Sequence, residues 1–116
     1  GNNIITFKVD TDEFLEVTHE EYQDLYNSVA SDLIYPHKTI KAYMYDVLYD
    51  KIHNLSNNNR TFMKKYIRDL EYNIGNMLQE SLMNKNYKGI VISHNDHHGY
   101  YEEITIYDLS CIKYLS

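Results

Sequence analysis

Four side chains clustered near the end of the chain offer metal chemistry: His94, Asp96, His97 and His98. Imidazole nitrogens and a carboxylate are ligands for zinc and other divalent ions. All four fall in one short turn, whereas a closed tetrahedral site gathers ligands from separated elements. Neither a His-Glu-x-x-His helix nor a cysteine pair accompanies them. The run is expected to be a solvated or partner-contacting loop with no metal and no cofactor, its imidazoles sensitive to pH between about 5 and 8. Covalent catalysis finds equally little to use. Cys111 is a lone thiol in an apolar tail, and no base, nucleophile and orienting group can be assigned around Ser93-His94 or Glu102-Glu103. The 4 glycines form neither phosphate-cradling pattern. The expectation is a protein that is not an enzyme.

Charge gives two further constellations. The 116 residues carry a formal charge of −6, which argues against broad nucleic-acid affinity, a property that rests on many phosphate-neutralising cations. Asp10, Asp12, Glu13, Glu16, Glu20, Glu21 and Asp24 make the first quarter strongly negative. Such a surface suits docking on a basic protein partner, including a groove that otherwise holds phosphates; its alternative role is solubility and favourable charge at a helix start. Arg60, Lys64, Lys65 and Arg68 recur at i, i+4, i+5 and i+8 and so share one helix face. The segment Arg60–Glu71 resembles the recognition helix of helix-turn-helix proteins, and residues 40–107 resemble a winged helix with 94–99 as the wing tip. The resemblance implies nucleic-acid contact through those four cations. Two features depart from it: a long turn at 54–59, and a helical period that continues through Gly75. The alternative reading pairs Lys65 with Asp69 and Arg68 with Glu71 on a solvated face.

Aromatic usage points toward an interface. Of the aromatics, 13 are Tyr, 3 are Phe and none is Trp. Tyrosine packs if its hydroxyl finds a partner and is favoured at half-wet contacts. Tyr22, Tyr26 and Tyr66 lie on apolar stripes and are expected in the core. Tyr45 and Tyr49 form a displaced stripe, and Tyr100 and Tyr101 flank the final turn; these four, with Asp10, Asp12, Glu13, Glu16 and Glu20, are the expected protein-binding set. Tyr, Asn, Ile and Lys, all with A/T-rich codons, make up 46 of 116 residues, a usage found in AT-rich genomes such as those of low-GC bacteria, phages and large DNA viruses, and a phage, virus or mobile element is the expected source.

These residues need elements to position them. Residues 4–10 alternate as a strand with Ile5, Phe7 and Val9 on one face. Residues 11–17 are ambiguous between a turn and an extension. Thr18 and Glu21 form a capping box, followed by a stripe of Tyr22, Leu25, Tyr26, Val29, Ala30 and Leu33 that ends near Pro36. A second helix is expected over 38–54. A third, over about 60–84, carries Met63, Ile67, Leu70, Ile74, Met77, Leu78 and Leu82. Residues 88–93 and 100–107 form a hairpin, with Glu102, Ile104 and Ile106 on one face. Leu109, Ile112 and Leu115 suggest a short docking helix.

The order is β-α-α-α-β-β, an α+β single domain over 1–116 in which three helices pack with a small three-stranded antiparallel sheet. Gly1, with no initiator Met before it, fits a tag remnant or excision from a longer protein. The longest apolar run is Ala42–Tyr45, too short for a membrane span. With no signal peptide and one cysteine, the expected setting is the cytoplasm. The function expected is a small regulatory or inhibitory factor that binds a basic protein, with the winged-helix-like nucleic-acid domain as alternative and a homodimer as a further partner.

Overall fold

The computed structural model describes residues 5–48 and 57–115, with 47, 48, 57–60 and 62 described by backbone alone. The protein is α+β. Its elements are β1 (Thr6–Val9), β2 (Phe14–Thr18), α1 (His19–Val29), α2 (Ser31–Ile34), α3 (Ile40–Tyr43) running into a π-helical turn (Met44–Leu48), α4 (Asn57–Asn84), β3 (Gly89–Asp96), β4 (Gly99–Ile106), a 3-10 turn (Leu109–Cys111) and β5 (Ile112–Leu115). Two compact units divide the chain. One comprises the segments up to Tyr22 and from Gln79 onward; the other is Gln23–Leu78.

The first unit holds the strands. The strand expected at 4–10 exists but does not join the hairpin. β1 pairs antiparallel with β5, Thr6 opposite Leu115. The tail is therefore a 3-10 turn and a strand, not a docking helix. Asp108 caps the turn by accepting from the Ser110 N–H at 2.9 Å, and Ile-Lys-Tyr-Leu then continues as strand. The ambiguous stretch contains β2, which joins β3 in parallel, Phe14 opposite Gly89 and Thr18 opposite Ser93. The three-stranded sheet is thus mixed, in the order β2-β3-β4, in place of the all-antiparallel sheet expected.

As the central strand, β3 is apolar on both faces. Ile90 and Ile92 point to one side and Val91 to the other, all buried. Val91 clusters with Phe14 and Cys111, and Val9 and Ile106 pack on them. Gly89 is required at this contact, because a Cβ there would lie 2.5 Å from the Phe14 ring and 2.6 Å from the Thr105 carbonyl oxygen.

The second unit is helical. Ala30, Ile34, Ile40 and Ile74 form its buried cluster, edged by Tyr26, Val29, Tyr43, Met44 and Leu70. The stripe expected along one first helix changes phase, because α1 stops at Val29 and α2 restarts after Ala30. Ile34 is then buried and Leu33 is left exposed. The capping box at the start of α1 forms in both directions: Glu21 N–H donates to the Thr18 hydroxyl at 3.1 Å, and Thr18 N–H donates to the Glu21 carboxylate at 3.0 Å.

The long helix is continuous. Its 28 residues span about 42 Å at the usual rise. Met63, Ile74, Leu78 and Leu82 are buried as the stripe requires, whereas Met77 is exposed. The continuation through Gly75 to Asn84 and the parallel β2–β3 pairing correct the winged-helix expectation. A winged helix would turn into its wing near Gly75. Among the described residues, no helix is long and apolar enough to cross a membrane.

Two glycines give opposite expectations. Gly75→Ala places a methyl where nothing lies within 4 Å and should stabilise by about 0.5–1 kcal/mol through helix propensity. Gly89→Ala should destabilise by about 1–3 kcal/mol, because the carbonyl it meets belongs to a sheet backbone that cannot swing away. Urea unfolding of the two variants beside the parent chain checks both signs.

Candidate functional site

The pairing of β2, β3 and β4 decides which side chains meet. Residues opposite one another share a face. One face therefore carries Glu16 and Thr18 from β2, Val91 and Ser93 from β3, and Tyr100, Glu102 and Ile104 from β4. The Phe14 end of this face is covered by the cluster around Cys111. The other end is open and forms a cleft of about 340 Å³ lined by Glu16, Thr18, Glu21, Ser93, Tyr100 and Glu102. Its three carboxylates are exposed. Ser93 donates to the Val17 carbonyl at 3.4 Å, Glu21 is held by its cap, and Tyr100 and Ile104 are 65% and 49% exposed. The cleft thus combines negative charge with apolar surface left in water.

A second acidic cleft of about 340 Å³ lies beside the 3-10 turn and collects Asp10, Asp12, Glu13, Lys88 and Cys111. Asp10 accepts from the Asp12 N–H at 3.1 Å, and Lys88 bonds Glu13 at 2.7 Å. That bond holds the Lys88 ammonium above its usual range. The Ser110 N–H holds the Asp108 carboxyl below its usual range, and burial pushes the Cys111 thiol up, so it stays protonated near neutrality.

The opposite sheet face carries the histidine. His94 stacks on Tyr101 with ring centroids 4.5 Å apart and lies 4.9 Å from the His19 ring. Its Nε2 is buried without a hydrogen bond, 3.6 Å from a Glu103 carboxylate oxygen. His97 and His98 are in the turn, their rings 3.9 Å apart. The histidine run is split by the sheet, and among the described residues no group of three His, Cys, Asp or Glu side chains is placed to hold a metal ion.

Of the expected binding set, Glu16 and Tyr100 meet in the first cleft, and Asp10, Asp12 and Glu13 in the second. Glu20 stands apart in the first turn of α1, and Tyr101 is on the opposite sheet face. Tyr45 belongs to the helical unit, at the rim of a cavity of about 570 Å³ walled by Tyr26, Ile40, Met44 and Ile67. Tyr49 lies outside the described residues, as does the Arg60 side chain. Lys64, Lys65 and Arg68 are exposed on α4, and among the described residues they form no ion pair with Asp69 or Glu71. Tyr66 is not core: it is 41% exposed, its hydroxyl 3.3 Å from that of Tyr43.

No protein-family model, curated protein or solved structure matches the chain.

Ser93 and Glu102 join the cleft although the charge and aromatic patterns did not select them, and Glu21, counted in the acidic first quarter, joins it from outside the expected binding set. The hairpin alternation carried the signal for Glu102, which it placed beside Ile104, and the capping box fixed Glu21. The missing link was the parallel register that brings both to Glu16.

Near the opposite face, burial pushes the Tyr107 hydroxyl up to about 12, with Tyr22 adding to the effect. Burial, then the Glu103 charge, raises Tyr22. A raised folded value means a contribution present in full below the unfolded tyrosine value near 10 and lost as pH climbs through about 12. Stability should therefore fall across that window, and Tyr107→Phe should flatten the fall. Denaturation at stepped alkaline pH, paired with tyrosinate absorbance, measures it.

Proposed function

We propose that this protein is a small regulatory or inhibitory factor that binds a basic segment of a protein partner in the cleft formed by Glu16, Glu21, Glu102 and Tyr100. The observation that carries this reading is the convergence of three exposed carboxylates with an exposed tyrosine on the open end of one sheet face. Carboxylates spaced along a cleft complement Lys and Arg side chains, and they raise the encounter rate with a cationic partner. The tyrosine and Ile104 supply the apolar area that charge alone lacks, and a tyrosine ring also accepts a cation on its face. The overall charge of −6 acts in the same direction at long range.

The second cleft supports an approach role. Asp10 and Asp12 face solvent, and Glu13 is partly neutralised by Lys88. They add to the field without forming a comparable contact surface.

The double variant Glu16→Gln with Glu102→Gln should weaken binding of a Lys/Arg-rich peptide by about tenfold, mainly through slower association, and should flatten its salt dependence. Thermal unfolding should not change, because both side chains are solvated. Lys64→Glu with Arg68→Glu should leave peptide binding intact. Salt-sensitive retention of DNA that disappears in that second variant, together with unaltered peptide binding in the first, would sink the proposal.

A further inference from the structure

We propose that the outer edge of β4 is a docking strand, taking up an extended basic peptide as a fourth strand of the sheet; this rests on the reading that the cleft binds a basic segment. β4 (Gly99–Ile106) ends the order β2-β3-β4, and among the described residues it pairs only with β3. Eight residues of strand with no proline and no lysine, exposed along nearly the whole length, form an edge whose only charges are the carboxylates of Glu102 and Glu103. The β1–β5 ribbon differs. There Lys8 and Lys113 stand directly opposite one another and guard both strands.

The direction of the free groups follows from one bond. Tyr107 N–H donates to the Lys88 carbonyl at 2.9 Å. In an antiparallel pair the main-chain groups alternate, inward at one residue and outward at the next. Thr105, Glu103 and Tyr101 therefore face β3, and Ile104, Glu102 and Tyr100 turn their N–H and C=O groups outward. Those last three residues are the ones whose side chains stand on the cleft face. An added strand thus meets free hydrogen-bonding groups and the acidic cleft through the same residues, the arrangement by which strand addition obtains affinity from main chain and selectivity from alternate side chains.

Charge selects the occupant. Along the edge, Glu102 with Tyr100 marks one face and Glu103 with Tyr101 the other, and Glu16 and Glu21 extend the negative side of the cleft. A strand carrying Lys or Arg beside apolar residues satisfies this surface. A second copy does not, because β4 itself offers Glu102 and Glu103 and no cation to answer these carboxylates.

The probe is a labelled eight-residue peptide alternating Lys and Val, with two forms N-methylated on one or the other alternate set of amides. One methylated form should lose at least about tenfold in affinity and the other should match the parent peptide, because only one set faces β4. Ile104→Pro should weaken the parent peptide at least about tenfold while unfolding as the unaltered protein does, since the N–H it removes points away from β3. If Ile104→Pro fails to fold, the methylated pair still decides. Equal binding of all three peptides overturns strand addition; if Glu16→Gln with Glu102→Gln still weakens them, the acidic-cleft reading stands without it. Absence of binding by the parent peptide overturns strand addition and counts against the cleft as well. A dimer in solution that Ile104→Pro dissociates overturns the proposal in favour of self-pairing.

Discussion

The pairing of β2 with β3 is the contact on which the cleft depends. β3 is hydrogen-bonded on both edges and apolar on both faces, with Ile90 and Ile92 on one side and Val91 on the other. Only a strand in that position can hold a parallel neighbour and an antiparallel one at once. Gly89 permits it, since the Phe14 ring occupies the space a side chain would take. Parallel strands cannot be joined by a tight turn. The chain between Thr18 and Gly89 is accordingly a crossover, and it contains the four α-helices of the described residues.

This arrangement gives the acids their places. Glu16 stands on a solvent-facing position of β2 because Phe14, two residues earlier, points into the cluster at the covered end of the same face. Glu21 stays beside it because the capping box ties its carboxylate to Thr18. Glu102 arrives from β4 by the antiparallel register. Three separate local rules converge on one open end, and none of the three residues is buried or strained in order to be there.

Local rules were legible in the amino-acid order, and distant pairings were not. The capping box, the long helix and the hairpin faces follow from residues a few positions apart. β2 was ambiguous because Phe-Leu-Glu-Val-Thr mixes faces until its partner, far along the chain, is known. The tail showed helical spacing at Leu109, Ile112 and Leu115, yet pairing with β1 outweighed that weak periodicity. The stripe along the first helix slipped at Ala30, where one turn residue rotated Ile34 inward in place of Leu33. For the cleft, Glu16 and Tyr100 were identifiable by type, but their meeting was not, because a parallel register leaves no trace in either segment alone. The histidine run was expected as one loop, but the hairpin draws His94 into β3 against Tyr101 and leaves His97 and His98 together in the turn.

The parallel ladder also imposes an order in time. The β3–β4 hairpin closes over a two-residue turn, whereas Phe14 must find Gly89 across most of the chain. Loop closure of that length is slow relative to local hairpin formation. During synthesis β2 cannot join the sheet until the helical segment and β3 have both emerged. Until then Glu16 and Glu21 are remote from Glu102 and Tyr100. A partly made chain therefore carries Glu16 and Glu21 but has no cleft, and the carboxylates come together only when the fold is complete.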